Sequence, residues 1–248
     1  MIFFDHEKRI PGRGWWGVFF WWTFCSLVVW VYMTLCYRLK CRGRENLRFD
    51  GPALYVANHN SFLDPMALGL LVHHKPFIPM VRQTLFDTAF GGWFMRGMQA
   101  IPMDRSKWES APIKAALKEL EAGRRIIIFP EGSRSSDGAM KEFKRGLVLI
   151  IKRAKVPVVP LAVEGTFDAW PTGRKYPKLT GRVRVCAAPA IDAAELLANG
   201  PDAAMERLKR EIETMRLELR QEIRRKTKGR LPAPGPGDEA YWSQPSSS

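Results

Sequence analysis

The chain has 248 residues, of which 46% are hydrophobic, and its 39 Lys and Arg against 25 Asp and Glu give a formal net charge of +14. This balance suits an anionic membrane surface, an anionic substrate or nucleic acid. No recognition-helix, zinc-finger or aromatic nucleic-acid signature is present, so we expect no nucleic-acid partner. The four cysteines form no CxxC pair and are interpreted as reduced and structural, as on a cytosolic face.

The N-terminal segment indicates a membrane. Residues 15–37 carry no charge, and as one helix they would extend about 35 Å, enough to cross a hydrocarbon core of about 30 Å. A secretory signal would have a shorter apolar centre and a small-residue cleavage site. We therefore predict a retained anchor over residues 1–41, and basic residues after it favour a cytoplasmic domain. Four tryptophans near its start leave open a broken or paired helix that dips into one leaflet.

Residues 42–200 have the length of one domain with a sizeable core. Apolar strand-like runs alternate with helical runs, which predicts an α/β domain whose mostly parallel sheet is flanked by helices. The predicted strands are 53–57, 77–81, 99–103, 125–129, 157–163 and 182–187, and the predicted helices are 65–72, 83–97, 107–122 and 144–154.

A polar motif follows the first of these strands. His59 lies in a strand-to-helix turn, at the carboxyl end of a strand, where ligands and catalytic groups collect in open α/β sheets. Asp64 follows five residues later, within reach of one imidazole nitrogen, which would leave the other nitrogen as a base. The alternative is a turn histidine without a catalytic role, with Asp64 as a helix cap.

Two further clusters follow later strands. Arg105 comes after the third strand and would face the same rim as His59, although an arginine at a strand end is usually solvated. Gly132, Ser133 and Arg134 follow the fourth strand. Their backbone N–H groups and side-chain donors could form a phosphate cradle, or the segment could be a plain polar loop. Lys144 extends this basic rim or begins a solvated helix.

The last third of the chain carries weaker signals. Pro160 lies within a strand and indicates an edge, a bulge or a functional bend. Residues 167–180 are interpreted as a surface loop or a membrane-facing loop. Residues 201–228 form an amphipathic helix, which would pack on the domain or form a short coiled coil. Residues 229–248 are predicted to be disordered from their composition.

Four motifs occur in a fixed order: NHNSFLD, GMQAIPMDR, FPEGSRS and VPVVPLAV. They resemble the four-block signature, with its HX4D motif, of the glycerolipid acyltransferases, and in particular of the bacterial 1-acyl-sn-glycerol-3-phosphate acyltransferases. The resemblance extends over residues 43–190. It implies an inner-membrane enzyme with its catalytic domain on the cytoplasmic face. That enzyme would move a fatty acyl group from acyl-CoA or acyl-carrier protein to lysophosphatidic acid, giving phosphatidic acid, without a cofactor or metal.

The same resemblance assigns roles to individual residues. It implies that His59 is the general base and that Asp64 orients it. Neither Ser61 nor Ser133 lies in a GxSxG setting, so direct transfer without an acyl-enzyme is expected. The residues that the resemblance places in substrate binding are Arg105, Glu131, Gly132, Ser133, Arg134 and Lys144 for the acceptor, and Pro160 for the acyl-donor side.

Two alternatives remain at this stage. The same chemistry could serve another lyso-lipid acceptor, since similar blocks occur with several acceptors. A membrane-anchored lipid-binding protein could also keep the fold without catalysis. An intact pair of His59 and Asp64 argues against that second alternative, because a binding module does not need a base.

Overall fold

The computed structural model describes residues 23–73, 77–97, 100–103 and 111–243. Seven strands in these ranges form one sheet: β1 (Lys40–Arg42), β2 (Ala53–Ala57), β3 (Phe77–Arg82), β4 (Ile101–Met103), β5 (Arg125–Ile128), β6 (Val158–Glu164) and β7 (Arg184–Ala187). The α-helices there are α1 (Cys25–Tyr37), α2 (Asp64–Leu71), α3 (Ala89–Gly97), α4 (Ala111–Glu121), α5 (Gly146–Ala154), α6 (Thr166–Ala169), α7 (Ala193–Leu197) and α8 (Pro201–Thr227).

The sheet has the order β1-β7-β6-β2-β5-β3-β4, and among these neighbours only the β6–β7 pair is antiparallel. Strands β2 and β6 are buried along their whole length, as expected when helices cover both faces of a parallel sheet. The predicted α/β fold with a mostly parallel sheet is therefore confirmed. Because these strands run in one direction, their carboxyl ends meet at one edge, where β2 and β5 deliver the polar motifs.

Two apolar layers cover the sheet. On one face, the core includes Met33 and Tyr37 of α1 and Leu68 of α2. On the other face, Leu120 of α4 packs in a second cluster with α5 and α8. Burying a large apolar side chain contributes about 1.5–3 kcal/mol, so these two layers are the main support of the sheet.

Strand β6 differs from its prediction at one residue. Pro160 was predicted to mark an edge, a bulge or a bend, yet β6 lies inside the sheet between β2 and β7. The edge interpretation is therefore wrong. The carbonyl of Pro160 accepts the N–H of Ala188, which follows the last residue of β7. The N–H that proline lacks would face Ala188, just beyond the end of β7. Its absence therefore removes no hydrogen bond between β6 and β7.

The helix α1 is the described part of the predicted anchor. It has 13 residues, and no helix within the described ranges is long and apolar enough to cross a membrane. Residues 1–22, which include the first part of the predicted span, lie outside those ranges. The membrane-spanning helix therefore stays a prediction that the described residues do not support.

The C-terminal segment corrects a second prediction. Helix α8 packs on the domain, because Leu208 and Ile212 are fully buried in the second core cluster. Residues 229–243 lie along this helix instead of being disordered. Arg220 forms an ion pair with Asp238, and Arg216 donates a 2.8 Å hydrogen bond to the carbonyl of Gly237. The composition of the tail does not reveal these partners, since the arginines that hold it lie on α8.

Candidate active site

The turn after β2 is fixed by one asparagine. The side-chain amide of Asn58 donates to the carbonyl of Val163 and accepts the N–H of the same residue, both at 2.9 Å. Two reciprocal bonds to β6 leave Asn58 little freedom, and both groups are buried. The turn that carries His59 is thus attached to the central strands of the sheet.

His59 and Asp64 meet as predicted from their spacing. The Nδ1 atom of His59 lies 2.9 Å from Oδ2 of Asp64, whose carboxylate is fully buried. The same oxygen accepts the backbone N–H groups of Asn60 and Ser61, at 2.6 and 2.7 Å. Asp64 therefore closes the turn and orients the imidazole, and this contact assigns the proton to Nδ1. The Nε2 atom of His59 is then left without a proton and can accept a hydrogen bond.

The imidazole is held by packing as well. The ring of His59 stacks on Phe129 with centroids 4.2 Å apart and planes at 23°, and its side chain is 18% exposed. Phe129 follows β5, the strand beside β2, so the stack joins the ends of neighbouring strands. The hydrogen bond to Asp64 and the stack on Phe129 together fix the orientation of the His59 ring.

Glu131 supports the same turn from the loop after β5. Its Oε1 atom accepts the backbone N–H of His59 at 2.8 Å, and Oε2 accepts that of Lys141 at 3.1 Å. The side chain is only 4% exposed. Burial raises the pKa of Glu131 to about 8, although the two N–H groups favour its ionised form. Both oxygens thus bind backbone, which favours a positioning role over the acceptor contact that the resemblance implied.

Basic side chains surround this loop. Gly132 has φ +70, and a Cβ there would lie 2.7 Å from Cε of Lys144. Only a glycine allows the lysine to cross so closely. Lys141 donates from Nζ to Oγ of Ser133 at 3.2 Å. The guanidinium carbon of Arg134 lies 3.5 Å from the ring centroid of Phe62, a cation–π contact.

His59 and residues that follow β5 line a cavity of about 420 Å³. Its polar lining includes His59 and the four residues Gly132, Ser133, Arg134 and Lys144. Its apolar lining includes Met80, Leu85, Ile113, Leu147 and Ile150. A cavity with a basic part and a larger apolar part suits a molecule with an anionic group and an alkyl chain.

Among the predicted site residues that the structure describes, Asp64, Glu131 and Pro160 do not line the cavity, and the first two contact His59 instead. Arg105 lies outside the described ranges, and its predicted contact stays a prediction. Pro160 is buried in β6 and is not among the residues that line the cavity. Sequence reasoning gave no role to Asn58 or Phe129, although their places at the ends of two apolar strands were a signal. Within the described ranges, no group of three or more His, Cys, Asp or Glu could hold a metal ion.

Together, the fold and the site define an α/β protein with an oriented histidine at the wall of a cavity that has a basic part and an apolar part. The family model named Acyltransferase matches residues 38–164. The chain belongs to this family of enzymes, as the four motifs predicted.

Several proteins with similar sequences are named 1-acyl-sn-glycerol-3-phosphate acyltransferases. The chain is 36% identical over 152 residues to a chloroplast 1-acyl-sn-glycerol-3-phosphate acyltransferase of Arabidopsis thaliana, covering 60% of this chain and 42% of the relative. The enzyme so named in Bacillus subtilis is 31% identical over 142 residues, covering 57% and 70%. The one in Pseudomonas aeruginosa is 29% identical over 191 residues, covering 74% and 70%. The chain thus spans less than half the length of the plant relative.

A solved structure shares the fold. The crystal structure of the 1-acyl-sn-glycerophosphate acyltransferase PlsC from Thermotoga maritima superimposes with a TM-score of 0.61 at 23% identity. The match covers 78% of this chain and 80% of that one. The shared region therefore extends beyond the residues that the family model matches.

Proposed function

We propose that the protein transfers a fatty acyl group from an acyl thioester to the free sn-2 hydroxyl of 1-acyl-glycerol-3-phosphate, giving phosphatidic acid. The observation that carries the proposal is the oriented pair of His59 and Asp64 at the wall of a cavity with basic and apolar parts. The names of the relatives from Bacillus subtilis and Pseudomonas aeruginosa support the same acceptor.

The base explains how a weakly acidic alcohol reacts. Nε2 of His59 takes the hydroxyl proton while the alcohol oxygen attacks the thioester carbonyl, and a tetrahedral oxyanion forms. The oxyanion then collapses, the carbon–sulfur bond breaks, and the thiolate takes the proton from the imidazolium. Asp64 stabilises the imidazolium between these steps. A positioned base of this kind contributes about 10²–10⁴-fold to the rate.

The hydroxyl groups near the site support direct transfer. Ser61 donates from Oγ to the carbonyl of Trp170 at 2.9 Å, and Oγ of Ser133 accepts a hydrogen bond from Lys141. A serine nucleophile would need its hydroxyl directed at the base. The hydroxyl of Ser61 is directed at Trp170 and the oxygen of Ser133 is bound by Lys141, so the acceptor hydroxyl is the nucleophile in our proposal.

The acceptor phosphate would bind among the cationic side chains of the loop after β5. Arg134 offers a planar guanidinium already stacked on Phe62, and Lys144 offers an ammonium over Gly132. Charge-assisted hydrogen bonds from such groups to phosphate are among the stronger ones in proteins. Arg105 is proposed as a further phosphate contact. Pro160 is proposed to act on the donor side through the position of β6.

We also propose that the enzyme works at the inner membrane, with this domain on the cytoplasmic face. Helix α1 and the residue before it have an exposed apolar stripe opposite the buried side chains of Met33 and Tyr37. The stripe consists of Phe24, Leu27, Val28, Val31 and Leu35. Such a face suits contact with lipid, and the lyso-lipid acceptor is itself a membrane component.

The test is an acceptor panel. Purified protein is given lysophosphatidic acid, lysophosphatidylcholine, lysophosphatidylethanolamine or a lyso-amino-acid lipid, with acyl-CoA and separately with acyl-carrier protein. The proposal requires the highest kcat/KM for lysophosphatidic acid, and Arg134→Ala should raise the KM of phosphorylated acceptors. A higher kcat/KM for an acceptor without an accessible phosphate monoester would replace this proposal by the same chemistry on another lyso-lipid.

A further inference from the structure

One surface loop connects the cavity to helix α1. We call residues 170–181 the bridge loop. At its first end, the carbonyl of Trp170 accepts the hydroxyl of Ser61, and the ring of Trp170 packs against Phe62 with centroids 5.2 Å apart. Thr172, which lines the cavity, donates to the carbonyl of Ser135 at 2.6 Å. This end is therefore part of the cavity wall.

The second end of the bridge loop is attached to α1. The hydroxyl of Tyr37 donates to the carbonyl of Lys178 at 2.8 Å, and the N–H of Gly181 donates to the carbonyl of Cys36 at 3.0 Å. A Cβ at Gly181 would lie 3.1 Å from Cδ1 of Tyr37, so the approach is close. The loop is thus fixed at both ends, between the apolar helix and the catalytic cavity.

Large apolar side chains nevertheless extend from this fixed loop into solvent. Leu179 is 88% exposed and Tyr176 is 66% exposed, and Leu35, next to the loop's contact at Cys36, is 74% exposed. Single exposed apolar residues are common, but Tyr176 and Leu179 lie three positions apart on one loop, and we call these two side chains the patch.

The patch lies in a basic environment. The bridge loop contains Arg174, Lys175 and Lys178 and no acidic residue. Burial lowers the pKa of Arg182, just beyond the loop, and three neighbouring arginines lower it further: Arg38, Arg184 and Arg230. Such mutual repulsion shows that positive charge accumulates here. It disfavours a second copy of the chain, which would bring like charges together, and it attracts an anionic surface.

We infer that the bridge loop is a lipid-docking element for an anionic bilayer. Tyr176 and Leu179 enter the interfacial region, while Arg174, Lys175 and Lys178 contact the acidic headgroups. Because the other end of the loop forms part of the cavity wall, docking places the cavity beside the bilayer that holds its substrate. This inference rests on the proposed function and adds a lipid contact outside α1.

The test measures vesicle binding by the full chain. Vesicles of phosphatidylcholine are compared with vesicles that contain about one-third phosphatidylglycerol, a strongly anionic surface. Each Lys or Arg near such a surface strengthens binding about fivefold, so Lys175→Gln with Lys178→Gln should weaken it about 25-fold on anionic vesicles only. Tyr176→Ser with Leu179→Ser should weaken binding about tenfold or more on both kinds of vesicle.

Matched controls come from helix α5. Leu149 is exposed, and Lys152 and Arg153 are exposed on the same helix. Leu149→Ser, and Lys152→Gln with Arg153→Gln, should leave vesicle binding unchanged. Equal binding by wild type and both loop variants would overturn the inference, and so would equal losses in loop and control variants. Loss of dimerisation in the loop variants, measured by light scattering, would make the patch an interface between copies and overturn it too.

A soluble substrate separates this inference from the proposed function. With a short-chain lysophosphatidic acid that stays in solution, the loop variants should keep the wild-type rate, whereas with vesicle-borne acceptor they should lose it in proportion to binding. Equal rates on both kinds of acceptor would contradict docking. Absence of transfer by the wild type, with normal vesicle binding, would refute the proposed function and leave the lipid-docking surface in place.

Discussion

Glu131 gives the sharpest test of how the site is built. The resemblance implied an acceptor contact, whereas both carboxylate oxygens bind the partly buried backbone N–H groups of His59 and Lys141. A buried donor left without its acceptor costs about 1–3 kcal/mol. Glu131→Ala leaves two donors that are only partly buried, so we expect a loss near the lower end for each, about 2 kcal/mol together, in the free energy of unfolding. Above pH 8, where Glu131 is a carboxylate, Glu131→Gln keeps one of the two acceptors, and the expected loss is about half as large.

The kinetic result separates the two roles of Glu131. The carboxylate holds the backbone of His59, and a misplacement of about 1 Å at a catalytic group costs about 10²-fold. For Glu131→Gln we therefore expect kcat to fall by about that factor while the KM of the acceptor is unchanged. Steady-state rates with varied acceptor, together with urea unfolding, measure both quantities.

A matched control is Glu195→Gln, because Glu195 forms an exposed ion pair with Arg207. Such pairs contribute about 0–1 kcal/mol, so neither stability nor rate should change appreciably. A raised KM with unchanged kcat and unchanged stability in Glu131→Gln would refute the positioning role and restore the acceptor contact.

The remaining predictions concern pH, a buried ion pair and a glycine. The pKa of Glu131 is raised from 4.5 to about 8, so the folded protein favours the protonated side chain. The resulting stabilisation is fully present below pH 4.5 and is lost as the pH rises through about 8. In urea unfolding, the free energy of unfolding of the wild type should fall as the pH rises between these two values, and that of Glu131→Gln should not. Arg216→Ala should cost about 3–5 kcal/mol, because it leaves the buried carboxylate of Glu213 without its ion-pair partner. Arg210→Ala, at an exposed pair, should cost under about 1 kcal/mol, and equal values in urea unfolding would contradict this. Gly132→Ala should lower the free energy of unfolding by about 1–2 kcal/mol because of the left-handed φ. It should also lower kcat/KM, because the added Cβ displaces Lys144. A variant with wild-type stability and rate would argue against this packing.

Much of the framework follows from local sequence. Apolar runs predicted the positions of β2 and β5, because parallel strands that are buried on both faces are apolar along their whole length. The strand-end position of His59 predicted its contact with Asp64, because five residues of a turn bring the two side chains together. Strand β1 was missed, since its sequence Lys-Cys-Arg has no apolar pattern and pairs only with β7, far along the chain.

Contacts between distant residues account for the other differences. The role of Glu131 depends on an N–H group 72 positions away, and no motif carries that information. The tail was predicted from composition alone, whereas it is held by arginines of α8 through Asp238 and Gly237. Pro160 was interpreted as an edge, a bulge or a functional bend because the length of the neighbouring strand β7 is not visible in the local pattern.

The most direct test of the account is acyl transfer by the purified wild type and by His59→Gln, with lysophosphatidic acid and an acyl thioester. The account predicts phosphatidic acid from the wild type and a rate at least about 10²–10⁴-fold lower from the variant, whose thermal unfolding should match that of the wild type. Transfer at the wild-type rate by a folded His59→Gln protein would contradict the central claim that this histidine is the base.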